Sequence, residues 1–186
     1  MTGRKTGGGP TSDLLAIRVA KIVIVAIIAV FFSIVTYTNI TDFDTNYAFV
    51  RHVLSMDTTF QSPDMMWRAI EDPALHRAAY WFIILWEGAT AVLCWLGAAA
   101  LSMRWSASSE EFDRARTLAI VGLVMGVVLY ALGFLVIASE WFAMWQSDDW
   151  SAQDTAGMFS TVLFAALIFV GLRESSSARR ADDAMP

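Results

Sequence analysis

Apolar residues along this chain gather in four long blocks. Residues 19–38, 78–101, 117–139 and 155–172 are nearly continuous runs of Leu, Ile, Val, Ala, Phe and Met. A bilayer core of roughly 30 Å needs a helix of about 20 apolar residues. The first block has Lys21 near its edge, the second holds one charge, Glu87, and the third holds none. Lipid offers the backbone no hydrogen-bond partner, so each block predicts a helix. The blocks lack the polar–apolar alternation of a lipid-exposed barrel strand. The expected fold is all-α, a four-helix transmembrane bundle forming one domain over 13–173. Residues 1–12 are expected to be disordered and 174–186 to form a flexible tail.

The polar stretches add detail. Residues 39–77 are too many for a simple connection between two membrane helices. They predict two short helices: one from Asp44 or Thr45 to about Met56, and one starting at Ser62-Pro63-Asp64 and stopped by Asp72-Pro73. Both carry bulky apolar residues, among them Tyr47, Phe49, Val50, Met65 and Trp67, which suits a short helical cap on the membrane surface or on the bundle mouth. Ser108-Ser109-Glu110-Glu111 reads as a helix start, with carboxylates at the positive end of the dipole.

Charge sets an orientation. Arg4, Lys5, Arg18 and Lys21 precede the first span, Arg104, Arg114 and Arg116 lie between the second and third, and Arg173, Arg179 and Arg180 follow the fourth. The intervening segments carry Arg51, Arg68 and Arg77 among many carboxylates. The positive-inside rule then puts both termini in the cytoplasm and the 39–77 cap outside. The formal net charge of −5 hides two faces of opposite sign, and no basic stripe suits nucleic acid. The first block is longer than the ~7–15-residue core of a signal peptide, so it is expected to remain. The single cysteine, Cys94, excludes an internal disulfide.

Several strings resemble the DUF2165 family, predicted small integral membrane proteins of bacteria. They are Asn39-Ile-Thr-Asp42, Asn46-Tyr-Ala-Phe-Val50, His52 through Phe60, Met66-Trp-Arg-Ala-Ile70, Tyr80 through Glu87, and Glu140 through Ser147. The likeness covers about 19–172. After Trp150 the family tends to Asn-Gly-Gln, where this chain has Ser151-Ala152-Gln153. The resemblance implies four membrane helices and a bacterial source and brings no activity; the expected location is the bacterial cytoplasmic (inner) membrane.

Candidate chemistry centres on Glu87, because an acid inside a membrane helix is costly and normally faces the bundle interior. Tyr80, Glu87, Thr90 and Cys94 share one helical face. By depth, Tyr130 or Thr161 is expected to donate a hydrogen bond to Glu87. At the outer cap His52, Met56, Asp57, His76 and Glu140 are the candidates, since His with Met suits copper and His with carboxylate suits zinc or iron. His52 and His76 lack ligand spacing, so no metal site is assigned to them. Trp67, Arg68, Trp141 and Trp145 are candidate interface residues, with Trp81 and Trp150 completing an aromatic belt. An ion pair of Glu140 with Arg68 or Arg77 is an alternative role for that acid. Gly122, Gly126 and Gly133 predict close helix approach. No nucleophile, phosphate-loop or metalloprotease motif is present. The expected function is a non-catalytic accessory or assembly subunit of a larger membrane complex, in contact with lipid and another membrane protein, with no cofactor. The alternatives are a small transporter using Glu87 for proton or ion coupling and, behind it, a metalloprotein with a site under the cap.

Overall fold

The computed structural model describes residues 11–174, and every regular element among them is helical. Most of the expected N-terminal disorder and tail therefore lies outside the described residues. The elements are α1 (Ser12–Thr41), α2 (Phe43–Ser55), α3 (Pro73–Met103), α4 (Ser109–Ala115), α5 (Thr117–Val127) and α6 (Gln153–Gly171). α5 runs on as a π-helix over Val128–Trp141. Four stretches are long and apolar enough to cross a membrane: Ser12–Thr41, Pro73–Met103, Ser109–Trp141 and Gln153–Gly171. These are the four expected spans, with the first three much longer than their apolar blocks and the fourth close to its block.

Local chemistry explains the added lengths. Asp72-Pro73, expected to stop a helix, starts one instead. Asp72 Oδ1 accepts from the Ala74 amide at 2.8 Å, and Pro73 takes the first turn, where its missing N–H is harmless. The second short helix of the 39–77 segment is correspondingly reduced to one 3₁₀ turn, Met66–Arg68, and the chain beyond it is drawn to α2 by Ile70 N–H to Leu54 O at 2.8 Å. The first short helix is present as α2. At the Ser108 start the hydroxyl and the Glu111 carboxylate satisfy each other's backbone amides, a capping box that begins α4 before the apolar block.

α3 packs along both α1 and α5, and α6 closes against α5 and the π-helix. Glycines set the closest approaches. A Cβ at Gly97 would lie 2.5 Å from the Ala119 backbone, and one at Gly122 would lie 2.7 Å from Cys94 Sγ. Gly126 faces Phe32 and Leu163 in the same way. Gly133 meets only its own helix and is not a contact point. Two indoles bridge helices: Trp86 Nε1 donates to Met125 O at 2.9 Å and Trp95 Nε1 to Ser33 Oγ at 3.1 Å. Ile27, Ile34, Phe82, Leu85 and Ile168 point outward and are more than half exposed, as lipid-facing residues should be.

At the end carrying the termini, cations turn inward. Arg18 is fully buried and grips Glu174 through Nε and Nη2, the shorter contact being 2.7 Å. Its Nη1 donates to the Trp105 and Ala107 carbonyls at 2.8 Å each. Arg116 Nη1 donates to the carbonyls of Val170, Gly171 and Leu172, and Lys21 Nζ adds a second donor to Leu172 O at 2.6 Å. These carbonyls are the unsatisfied end of α6, where a cation also meets the negative end of the dipole. Glu174, assigned to a flexible tail from sequence, is therefore a fixed and buried residue.

At the opposite end the 42–72 segment packs on the connection between the third and fourth spans. Val53 and Met56 cluster with Phe142, Ala143 and Met144. Thr58 Oγ1 donates to Ser147 Oγ at 2.8 Å, and the Phe60 amide to Gln146 Oε1 at 3.0 Å.

Two stability outcomes follow. Gly97→Ala is expected to lower stability by about 1–3 kcal/mol through overpacking against backbone that cannot yield, while Gly157→Ala, inside α6 with nothing within 4 Å, should hold or raise it, since Ala is favoured over Gly in a helix by up to about 1 kcal/mol. Thermal unfolding in detergent checks both. Arg18→Ala strands a buried carboxylate and should cost about 3–5 kcal/mol, read as a fall in melting temperature that far exceeds that of an exposed control, Arg114→Ala.

Candidate functional site

The buried face of α3 repeats at helical spacing: His76, Tyr80, Ile84, Glu87, Thr90, Ala91 and Cys94 all point inward. Glu87 is 3% exposed. Its hydrogen-bond donor is Asn39, in the last turn of α1, with Nδ2 at 2.7 Å from Oε2. The Tyr80 hydroxyl donates to the Asn39 carbonyl at 2.9 Å, so one residue of α1 is bound twice by α3.

Neither expected donor bonds Glu87. The inward face of α6 is Ala156, Ser160, Leu163, Ala166 and Val170, which leaves Thr161 on the outer side, donating to Gly157 O at 2.9 Å. Tyr130 is buried beside Glu87 in the same cavity, but no hydrogen bond joins them. Depth counted from helix ends fails here because α3 rises well beyond the end of α1. Thr90 donates to Trp86 O of its own helix at 2.8 Å, a packing role.

Above Glu87 lies a cavity of about 240 Å³ between α1, α3, the π-helix and α6. Asn46, Phe49 and Val50 of α2 form its roof, and Val35, Ile83 and Ala156 its aliphatic wall. Its character is aromatic. Tyr130 lies 5.0 Å from Phe159 and 5.5 Å from Phe134, and Phe134 lies 6.1 Å from Phe49. Beneath it the layer of Phe32 and Leu163 is closed, both at most 2% exposed, with Gly126 fitted between them. The site is thus one carboxylate on the floor of an aromatic chamber, with no Lys, Arg or His among the described residues of its lining.

Of the other candidates, only His52 and Asp57 meet. His52 Nδ1 sits 2.9 Å from both oxygens of Asp57, its Nε2 is 3.0 Å from Arg51 Nη2, and its ring stacks on Trp150 at 4.4 Å. Met56 takes a left-handed backbone (φ 53°) and turns into the small apolar cluster, away from His52. His76 is buried on α3 with Nε2 2.6 Å from the Ile70 carbonyl oxygen. Among the described residues no three of His, Cys, Asp and Glu are placed to share a metal ion.

Glu140 shares a groove with Arg68 and Trp141 but forms no ion pair with Arg68 or Arg77. Arg68 lies over the Trp67 and Trp141 rings, at 5.5 and 4.8 Å, and Arg77 lies over Tyr47 at 5.4 Å. Each guanidinium has taken an aromatic face in place of the carboxylate. Trp67 and Trp141 meet edge to face at 5.7 Å, Trp145 meets Phe60 at 5.9 Å, and Trp67 is 69% exposed.

The DUF2165 family, described as predicted small integral membrane proteins, matches residues 17–173. The chain belongs to that family. No curated protein and no solved structure matches it. The DUF2165 assignment agrees with four membrane-crossing helices and leaves the role of the cavity to be read from its own residues. Asn39 and the Phe49–Phe134–Phe159 wall are the parts of that cavity not assigned from sequence. Asn39 falls one residue past the apolar block 19–38, so the sequence places it in the connection, whereas α1 runs on to Thr41 and carries it in its last turn.

The Asn39–Glu87 contact predicts an asymmetric mutant pair. Asn39→Ala removes the donor from a buried acid and should destabilise by about 1–3 kcal/mol. Glu87→Gln keeps an acceptor for Asn39 and is expected to hold or raise the melting temperature.

Proposed function

We propose that this DUF2165 protein is a small, non-catalytic binding component of the bacterial cytoplasmic membrane, with both termini in the cytoplasm and the Glu87 cavity as its working site. One observation carries this reading: a carboxylate with a single neutral donor faces an aromatic chamber that has room for a ligand. Asn39 engages one oxygen of Glu87, and the acid itself lines the cavity; an ionisable group inside a membrane helix points by default to a functional site. The closed layer of Phe32 and Leu163 favours uptake and release at one end over conduction through the bundle. The Lys and Arg distribution supports the orientation.

A second reading is proton- or ion-coupled transport, supported by the same isolated acid; the packed lower half weighs against it. The accessory-subunit reading is compatible with the first. The exposed Trp67, with Arg68 held between two indoles, offers the kind of aromatic and Arg surface enriched at protein interfaces.

Diisopropylcarbodiimide, a small apolar reagent for carboxyl groups, tests the site. Folded protein in nanodiscs is expected to take up one adduct at Glu87, absent from Glu87→Gln and unaffected by Glu140→Gln. Modification of Glu140 with Glu87 untouched would show that the cavity is not reachable, and the reading would fall.

A further inference from the structure

We propose that the Glu87 cavity selects a small organic monocation with an apolar body, a substituted ammonium, over neutral, anionic and metal ligands. The inference rests on the reading of that cavity as a binding site and adds the chemistry of its occupant.

Charge comes first. Among the described residues Glu87 is the sole carboxylate of the lining, and no basic side chain lines the chamber to neutralise it. The cations at that end are engaged elsewhere: Arg51 at His52, Arg68 over Trp141, Arg77 over Tyr47. An ionised Glu87 in these surroundings requires a positive partner from outside, and an anion would meet repulsion with no donor cluster to offset it.

The walls then decide which cation. Calcium takes about 6–8 oxygen ligands and magnesium six in near-octahedral array. One carboxylate, two Asn amides and the hydroxyls of Tyr130 and Thr155, spread among phenyl and aliphatic groups, supply no such shell, and the Tyr80 hydroxyl is already committed to the Asn39 carbonyl. Aromatic faces do attract a weakly hydrated ammonium, and such attraction strengthens where water is excluded. Tyr130, Phe134 and Phe159 present a contiguous wall of that kind, with Tyr80 and Phe49 completing it. The size agrees: the chamber of about 240 Å³ exceeds the ~150 Å³ apolar cavity that admits benzene. It has room for a ring plus a short ammonium head.

Benzyltrimethylammonium and its neutral isostere neopentylbenzene form the test pair, titrated calorimetrically into the full chain in nanodiscs. The cation is expected to bind one per chain and to protect Glu87 from the carbodiimide. Its affinity should drop at least tenfold in Glu87→Gln and several-fold in Phe134→Leu, which keeps an apolar side chain but loses the ring. The neutral isostere should bind at least tenfold more weakly than the cation. Equal affinity for the isostere, or undiminished binding by Glu87→Gln of unchanged melting temperature, overturns the proposal. If Glu87 reacts with the carbodiimide yet the cation neither binds nor protects, the cation class is wrong and the binding-site reading survives. If Glu87 does not react at all, both fall together.

Discussion

The hydrogen bond from Asn39 to Glu87 fixes how the bundle is staggered, and much else follows from that stagger. A carboxylate among apolar helices needs a donor, and the one it finds ends α1. Joining the last turn of α1 to the middle of α3 leaves the first turns of α3, from Pro73 to about Tyr80, standing above α1. α2 fills the step: Val50 packs with Tyr80 and Ile84, and Phe43 meets Tyr80 edge to face at 4.8 Å. The chamber is the space left beneath α2 once that step exists. A bundle with flush helix ends would have neither the roof nor the space.

The two ends of the molecule handle charge by different means. At the termini, Arg18, Lys21 and Arg116 are buried and spend their donors on Glu174 and on carbonyls of α6 and of the α3–α4 connection. The basic residues that set orientation in a sequence reading are thus partly structural, closing a helix end whose backbone lipid could not satisfy. At the other end Arg68 and Arg77 lie on indole and phenol faces. Neither arrangement brings a cation into the Glu87 chamber.

The number, type and approximate place of the four spans were legible because apolar length is a direct physical requirement of a bilayer. The burial of Glu87 was legible for the same reason, and so was the Ser108 capping box, which is local. What was missed depends on relations between helices. Asn39 could not be matched to Glu87 without the stagger, and Thr161 was matched wrongly because the rotation of α6 was unknown. Asp72-Pro73 was read as an end when the same two residues serve equally as a beginning, and only the packing of α3 against α2 decides between them. Glu174 looked like tail because nothing in its neighbourhood shows that Arg18, far away in sequence, needs an anion.

The sealed layer under the chamber also bears on energetics. On the binding reading proposed above, the buried layer of Phe32, Gly126 and Leu163 would send a ligand out by the mouth it entered, and no gradient across the bilayer would be dissipated. Occupancy would then follow concentration on one side alone, as in an equilibrium gauge, with no alternating rearrangement needed to reset the fold.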